Sequence, residues 1–499
     1  MRTKILPILL ALTLLFTSCA VVLREAGSPD LGQGARDDLP ASPAVTAEAG
    51  AREPMPESPD PIPAQREPVT GESVPDEPVS AEADPIPEPD PDEPAADTPI
   101  GQELMMPDPE TEAPQPEPEP EPLPEPEPEP EPELVPEPVP EPQPVSAQPA
   151  KFWSGVDISF GATGDILVHP NIYIDANLRK TAEKTYDFLP MFYDVAASFA
   201  APDFMFVNQE TVMAGAEYGY SGWPCFNCPR ELGYDLVSMG VDIVNIANNH
   251  MLDKLAAGLS STIDFWNSQP VTLLGGYKNE EDRLNIRTIE SDGVTLSWLA
   301  YTLSTNGIVK AADSPLSIPY IDDDRILSDI ARAHEISDFV VVSIHWGDEN
   351  TQEPNYEQKR LARLIADGGA DLILGHHSHT LQPLEWLDTD HGPVLCVYSL
   401  GNFVSGMARP VNMVGGILNF RIVSDEEGRL KVADPVMNPT VFFYGMDWYN
   451  THVYRLEDYT DEIAAKHGVA ISGYRLTPAD ARQIVLNAID EEFLPEWMK

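Results

Sequence analysis

The sequence beyond Lys151 predicts a layered α/β domain, with helices outside and sheets within. Three observations predict it. Aromatic and β-branched residues are scarce before Lys151 and frequent after it, so only the later part can bury a core. Apolar runs of strand length alternate with helix-period segments from Val156 to Leu274. From Asn285 onward the pattern becomes richer in antiparallel hairpins.

Each element follows from local pattern. Val156-Asp157-Ile158-Ser159-Phe160 alternates as a strand does, and Phe188 to Ala200 has helical spacing. Asp203 to Asn208 is a short buried strand. Arg230 to Met239 is helical and ends at Gly240, a C-terminal cap. Val241 to Ile246 is a strand, Leu259 to Trp266 a helix and Val271 to Leu274 a strand. Asn285 to Thr302 predicts two antiparallel strands joined at Ser291-Asp292-Gly293. Asp322 to His334 is helical, and Asp338 to Ile344 is a strongly apolar strand. Tyr356 to Asp367 is a helix stopped by Gly368-Gly369. Asp371 to Leu374 and Val394 to Ser399 are strands. Gly415 to Phe420 and Leu430 to Pro435 flank a turn at Glu426-Glu427-Gly428-Arg429. Thr477 to Phe493 reads as a helix with Pro478 in its first turn.

The first 150 residues are of another kind. Arg2 and Lys4 precede the apolar stretch Ile5 to Phe16, and Thr17-Ser18-Cys19 follows. This order of charge, apolar run and small residues is that of a secretory signal, too short for a comfortable spanning helix. A cysteine directly after the small residues resembles a bacterial lipobox, which implies cleavage before Cys19 and its lipidation. Phe16 stands where lipoboxes usually carry an aliphatic residue, so an ordinary cleaved signal or an uncleaved anchor stays open. Every reading exports the domain, to the cell membrane or the outer membrane. From Arg24 to about Ala150 hydrophobic periodicity is absent, and Pro114 to Pro144 largely alternates Glu with Pro. Proline fixes φ and adjacent carboxylates repel, so a disordered, extended acidic stalk is expected. The expected organisation is a signal peptide over 1–18, a stalk over 19–150, a main domain over 151–425 and its C-terminal extension over 426–499.

The net charge is −52. Phosphate backbones repel such a chain, which excludes nucleic acid as the expected partner. About half of the negative charge precedes Lys151, so the domain is itself acidic.

Five segments share one form, in which an apolar strand ends and metal-type residues follow. They are Gly164-Asp165-Ile166-Leu167-Val168-His169, Asn208-Gln209-Glu210, Asn248-Asn249-His250, His345-Trp346-Gly347-Asp348-Glu349 and Gly375-His376-His377-Ser378-His379. Of the 10 histidines, six fall in these segments. Strand C-termini are where open α/β sheets place ligands. Residues two apart on extended chain point the same way, so His377 and His379 are expected to meet one site. Each segment alone is explained by turns or packing; together they predict a metal centre.

With Ser399-Leu400-Gly401-Asn402-Phe403 added, these segments stand in the order of the motifs of the bacterial CapA/PgsA family, the capsule and poly-γ-glutamate synthesis proteins. The chain resembles that family over Val156 to Val404. The family is related to calcineurin-like metallophosphoesterases, so the resemblance implies a metallophosphatase-like αββα sandwich. It also implies a divalent metal centre, of two manganese, iron or zinc ions. By that analogy Asp165, Glu210, Asn249, His345, His377 and His379 hold metal. His250 assists the leaving group, Asp165 belongs to the catalytic set, and His169 replaces the second ligand of the first motif. Two departures stand out: Ser378 replaces the usual proline, and the first motif lacks Asp-x-His. The implied role is a metal-dependent hydrolase or transferase acting on an anionic envelope polymer or its precursor, beside membrane capsule-synthesis subunits. A non-catalytic polymer-binding component and a periplasmic phosphoesterase are the alternatives.

Cys225-Phe226-Asn227-Cys228 has Cys-x-x-Cys spacing within a loop. A local disulfide between Cys225 and Cys228 in an oxidising compartment is expected, ahead of a redox or zinc role.

Overall fold

The computed structural model describes residues 151–499; the predicted signal peptide, Cys19 and stalk lie outside the described residues. The chain first lays down β1 (Asp157–Leu167), β2 (Phe204–Gln209), β3 (Ile243–Asn245) and β4 (Thr272–Leu274), parallel neighbours in that order. It then builds a second sheet from β5 (Arg287–Ser291), β6 (Val294–Thr302), β7 (Phe339–His345), β8 (Leu372–His376), β9 (Leu384–Thr389) and β10 (Gly392–Val397). The order there is β5-β6-β7-β8-β10-β9. Finally it returns to the first sheet. There β11 (Asn402–Ser405) runs parallel to the end of β1, and β12 (Val414–Ser424), β13 (Leu430–Phe443) and β14 (His452–Arg455) extend the sheet antiparallel.

The two sheets bury their facing sides against each other. Phe206 on β2 stacks on Trp298 of β6 at 5.8 Å between ring centroids, and Phe160 of β1 lies 6.2 Å from the same indole. The helices Asp323–Ile336 and Tyr356–Asp367 place Ile330 and Ile365 in a separate core with Val340, Val342 and Ile344 of β7. The helices Glu231–Met239 and Leu255–Asn267 bury Leu236, Leu259 and Ile263 in the main core with β1 to β4. The architecture is the expected layered α/β arrangement, with two mixed sheets and flanking helices. Among the described residues no helix is long and apolar enough to cross a membrane.

Local signals account for most boundaries. Gly240 takes φ of 108°, a left-handed cap after Met239. Asn355 and Gln358 form a capping box that starts the helix at Tyr356. Asp292 and Gly293 both have positive φ, the turn that joins β5 to β6. Three expectations are corrected. Phe188 to Ala200 is not one helix but two short pieces, Leu189–Phe192 and Ala196–Ala200, separated by a turn over Tyr193-Asp194-Val195. The last long helix stops at Ala488. The first strand does not end at Phe160 but continues to Leu167, so Asp165 lies within it.

Gly164 makes that continuation possible. A Cβ there would stand 1.9 Å from the Gly401 carbonyl oxygen, and the next amide, Asp165 N, donates to that oxygen at 2.8 Å. Gly164→Ala must therefore push two backbones apart, and a loss of about 1–3 kcal/mol in denaturant unfolding is expected. A second expectation concerns pH. Burial pushes the Asp371 carboxyl up to about 7, although it accepts a hydrogen bond from Val340 N at 2.8 Å. Its folded pKa exceeds its unfolded value, so its favourable contribution is complete below about pH 4 and lost as pH rises through 7. Asp371→Asn is expected to be more stable than the parent at pH 8, by about 1–3 kcal/mol, with no gain at pH 4.

Candidate metal centre

Four parallel strands of the first sheet carry polar residues at one level. Asn402 pairs with Asp165, Asp165 with Asn208, and Asn208 with Asn245. The side chains form a ladder: Asn245 Nδ2 donates to Asn208 Oδ1 at 2.9 Å, and Asn208 Nδ2 donates to Asp165 Oδ1 at 2.8 Å. Asp165 is thereby held with its other oxygen free of the ladder. Glu210 follows β2, and Asn248, Asn249 and His250 follow β3. From the second sheet, His345 ends β7 and His376 ends β8.

These ends converge. Asp165, Glu210 and His379 bring ligand atoms within 4.8 Å of one another, and so do Glu210, His345 and His377. Glu210 belongs to both groups. His345 Nε2 lies 3.0 Å from Asn249 Oδ1, 3.0 Å from His377 Nδ1 and 3.7 Å from Glu210 Oε1. His379 Nδ1 lies 3.1 Å from Asp165 Oδ2, and its Nε2 lies 3.8 Å from Glu210 Oε1. His377 and His379 thus divide between the two groups. They do so on a kinked rather than an extended chain: both have positive φ, 97° and 56°. Strain of this kind, about 1–3 kcal/mol per residue, persists only where surrounding structure imposes it. Ser378, buried between them, donates to Thr380 O at 2.8 Å and so closes the kink in place of proline.

The donor set fits a cation. Both Glu210 oxygens are buried without a hydrogen-bond partner. Among the described residues only histidines form ion pairs with Asp165 or Glu210; no lysine or arginine does. Burial pushes the Glu210 carboxyl up to about 8; His379 counters this in part and Asp165 adds to it. Burial acts on Asp165 in the same direction, but His379, His376 and the Asn208 hydrogen bond outweigh it and hold that carboxyl low. Burial, reinforced by neighbouring imidazoles, keeps His345 well below its ordinary range and His377 at about 4. These rings are therefore neutral, the form that ligates metal. His379 is the exception: burial lowers it, but Glu210 and Asp165 outweigh burial and raise it to about 10. In the absence of an ion it stands in as the local positive charge.

His250 sits beside the centre. Its Nδ1 lies 2.8 Å from Asp253 Oδ2, which also accepts from Phe226 N at 2.6 Å. Burial lowers its pKa, but Asp253 more than reverses this.

Two predicted site assignments are corrected. His169 belongs to neither ligand group. Its Nδ1 lies 3.0 Å from Gly406 N and 3.1 Å from Leu167 O, its ring packs edge-on against Phe226, and burial lowers it to about 4. It fixes the loop after β11 instead. Cys228 is a free thiol, fully buried in the main core, so the Cys225–Cys228 bridge is not made. Cys225 is itself disulfide-bonded and so is not available to Cys228. Burial also pushes that thiol far above its ordinary range, so it stays protonated and inert.

Sequence reasoning assigned no role to four other residues here. His376 is fully buried with neither ring nitrogen hydrogen-bonded, stacks on Phe206 at 5.6 Å and lies 3.8 Å from Asp165 Oδ1. Asn306 Oδ1 accepts from Asn249 Nδ2 at 3.3 Å, which turns the Asn249 oxygen toward His345. Asp253 orients His250, and Asn402 faces His379. His376 and Asn402 stand within motifs the sequence shows, and Asp253 has its place three residues after His250; Asn306 has no such signal.

Residues 159–407 match the family described as bacterial capsule synthesis protein PGA_cap. The PGA biosynthesis protein CapA of Bacillus subtilis (strain 168) is 33% identical over 199 residues, covering 40% of this chain and 51% of that protein. The capsule biosynthesis protein CapA of Bacillus anthracis is 34% identical over 170 residues, covering 33% of this chain and 40% of that protein. The chain thus spans about half, or less, of the length of these relatives. Among solved structures, a 5'-nucleotidase precursor from Thermus thermophilus is similar with a TM-score of 0.36 and 14% identity, over 66% of this chain and 58% of that one. Through the match across residues 159–407, the chain belongs to the bacterial capsule synthesis protein family.

Proposed function

We propose that this chain is an exported, lipid-anchored metal-dependent hydrolase or transferase of capsule or poly-γ-glutamate synthesis. Its domain, residues 151–499, stands off the membrane on the acidic stalk and works on an anionic envelope polymer or its precursor. One observation carries the catalytic part: Glu210, buried and without a hydrogen-bond donor, is common to two ligand groups. A carboxylate so placed suits a centre of two divalent ions. Asp165, Glu210 and His379 would hold one ion, and Glu210, Asn249, His345 and His377 the other. Such ions lower the pKa of water and neutralise charge developing on the reacting group.

The chain's own residues supply orientation and proton transfer. The asparagine ladder aims Asp165, and Asn249 and His377 both stand 3.0 Å from the same nitrogen of His345, Nε2. Asp253 occupies Nδ1 of His250, which leaves Nε2 as the atom that passes a proton to a leaving oxygen or nitrogen. The acidity of the domain disfavours a bare polyanion, so recognition of such a polymer rests on the metal centre. The family's role supports membrane capsule-synthesis subunits as partners, and the net charge of −52 argues against nucleic acid.

Two outcomes test this. Elemental analysis of the full chain loaded with manganese, iron or zinc is expected to return about two ions, and Glu210→Ala fewer than one. A parent protein that takes up no metal sinks the hydrolase reading and leaves a polymer-binding component. His250→Asn is expected to keep its metal while turnover of a phosphoester or γ-glutamyl substrate falls about 10²–10⁴-fold. Equal turnover in the two proteins removes His250 from the mechanism.

A further inference from the structure

The two ligand groups are unequal. Around His345 there are four donors, with Asn249 supplying an amide oxygen 3.0 Å from His345 Nε2. Around Asp165 the group holds three, and His169 does not join them. One further oxygen faces this second group. Asn402 Oδ1 lies 3.0 Å from His379 Nδ1, the same nitrogen that lies 3.1 Å from Asp165 Oδ2.

The orientation of that amide follows from its other end. Asn402 Nδ2 donates to Asn412 O at 3.1 Å, so Oδ1 is the atom turned toward His379. Asn402 is fully buried, and its strand pairs it directly with Asp165. The ladder already occupies Asp165 Oδ1, which leaves Oδ2 beside Asn402 Oδ1. A single imidazole nitrogen carries at most one proton, so one N–H cannot fully satisfy two oxygens. A cation among the three atoms satisfies both. Neighbouring donors at metal bond lengths of about 2.1 Å also stand about 3 Å apart. The arrangement repeats that of Asn249 beside His345.

We propose that Asn402 is the fourth ligand of the ion held by Asp165, Glu210 and His379, in the place that the missing Asp-x-His histidine leaves open. The inference rests on the two-ion reading above. It assigns a chemical role to the asparagine of Ser399-Leu400-Gly401-Asn402-Phe403. It also makes the ion environment on this side richer in oxygen than on the His345 side, favouring a harder divalent cation there.

The test uses the full chain loaded with cobalt(II), with content read by elemental analysis after dialysis and coordination read by visible absorption. The parent is expected to hold two ions. Asn402→Leu is expected to keep the His345-side ion, to bind the other about tenfold or more weakly, and to lose its share of the absorption spectrum. Asn249→Leu is expected to lose the opposite ion. Asn402→Leu with two ions, an unchanged spectrum and affinities within about threefold overturns the inference. Asn402→Asp decides the matter if the leucine variant does not fold. A ligand position binds its ion more tightly with a carboxylate, whereas a carboxylate placed beside Asp165 without an ion between them only repels; equal or weaker binding therefore overturns the inference. A parent that holds no ion removes the two-ion reading and this inference together. A parent with two ions and a leucine variant with two, at affinities within about threefold and with an unchanged spectrum, removes this inference alone.

Discussion

The carboxylate of Glu210 has both oxygens in the interior and no donor to meet them. An ionised carboxylate is costly to bury unless it is paired and hydrogen-bonded. The surrounding residues are arranged as a response to that requirement. Four imidazoles stand around Glu210 and Asp165, and three of them are kept neutral by burial. Asparagines on adjacent strands hold Asp165, and neither carboxylate has a lysine or arginine partner among the described residues. A bound cation would meet the Glu210 oxygens, which no lysine or arginine reaches among the described residues.

The fold delivers these groups by bringing the ends of both sheets together. Asp165 and Glu210 come from the first sheet, His345 and the histidine run after β8 from the second. Close backbone approach is part of the design. Gly164 lets β1 pass against Gly401, which places Asp165 opposite Asn402. The left-handed conformations of His377 and His379 send two residues of one short loop to two different groups.

Much of this was legible in the sequence, for identifiable reasons. The hairpin at Ser291-Asp292-Gly293, the cap at Gly240 and the helix from Tyr356 all depend on local chemistry, and each appears where its signal stands. The convergence of the metal-type segments was legible because each sits at or near a strand end. What local pattern did not carry was geometry set by distant residues. The length of β1 depends on its pairing with β2 and β12, and β11 exists only as a partner of β1. His169 resembled a ligand by position, but its ring is committed to the Gly406 loop, far along the chain. The pairing expected for Cys225 and Cys228 followed spacing, whereas the inward packing of Cys228 is a tertiary fact.

The return of the chain to its first sheet also governs how the protein tolerates cutting. The stretch that matches the family ends at residue 407, just before β12, which lies hydrogen-bonded along β1 and is itself covered by β13. A protease that severed and released the chain beyond that point would strip β1 of an antiparallel neighbour over Asp157 to Thr163 and leave a row of unpaired amides beside an apolar face. Such a bared edge is a template for pairing with other chains. The C-terminal strands therefore act as a guard against aggregation, and their loss would be felt as insolubility although every ligand of the centre precedes the cut.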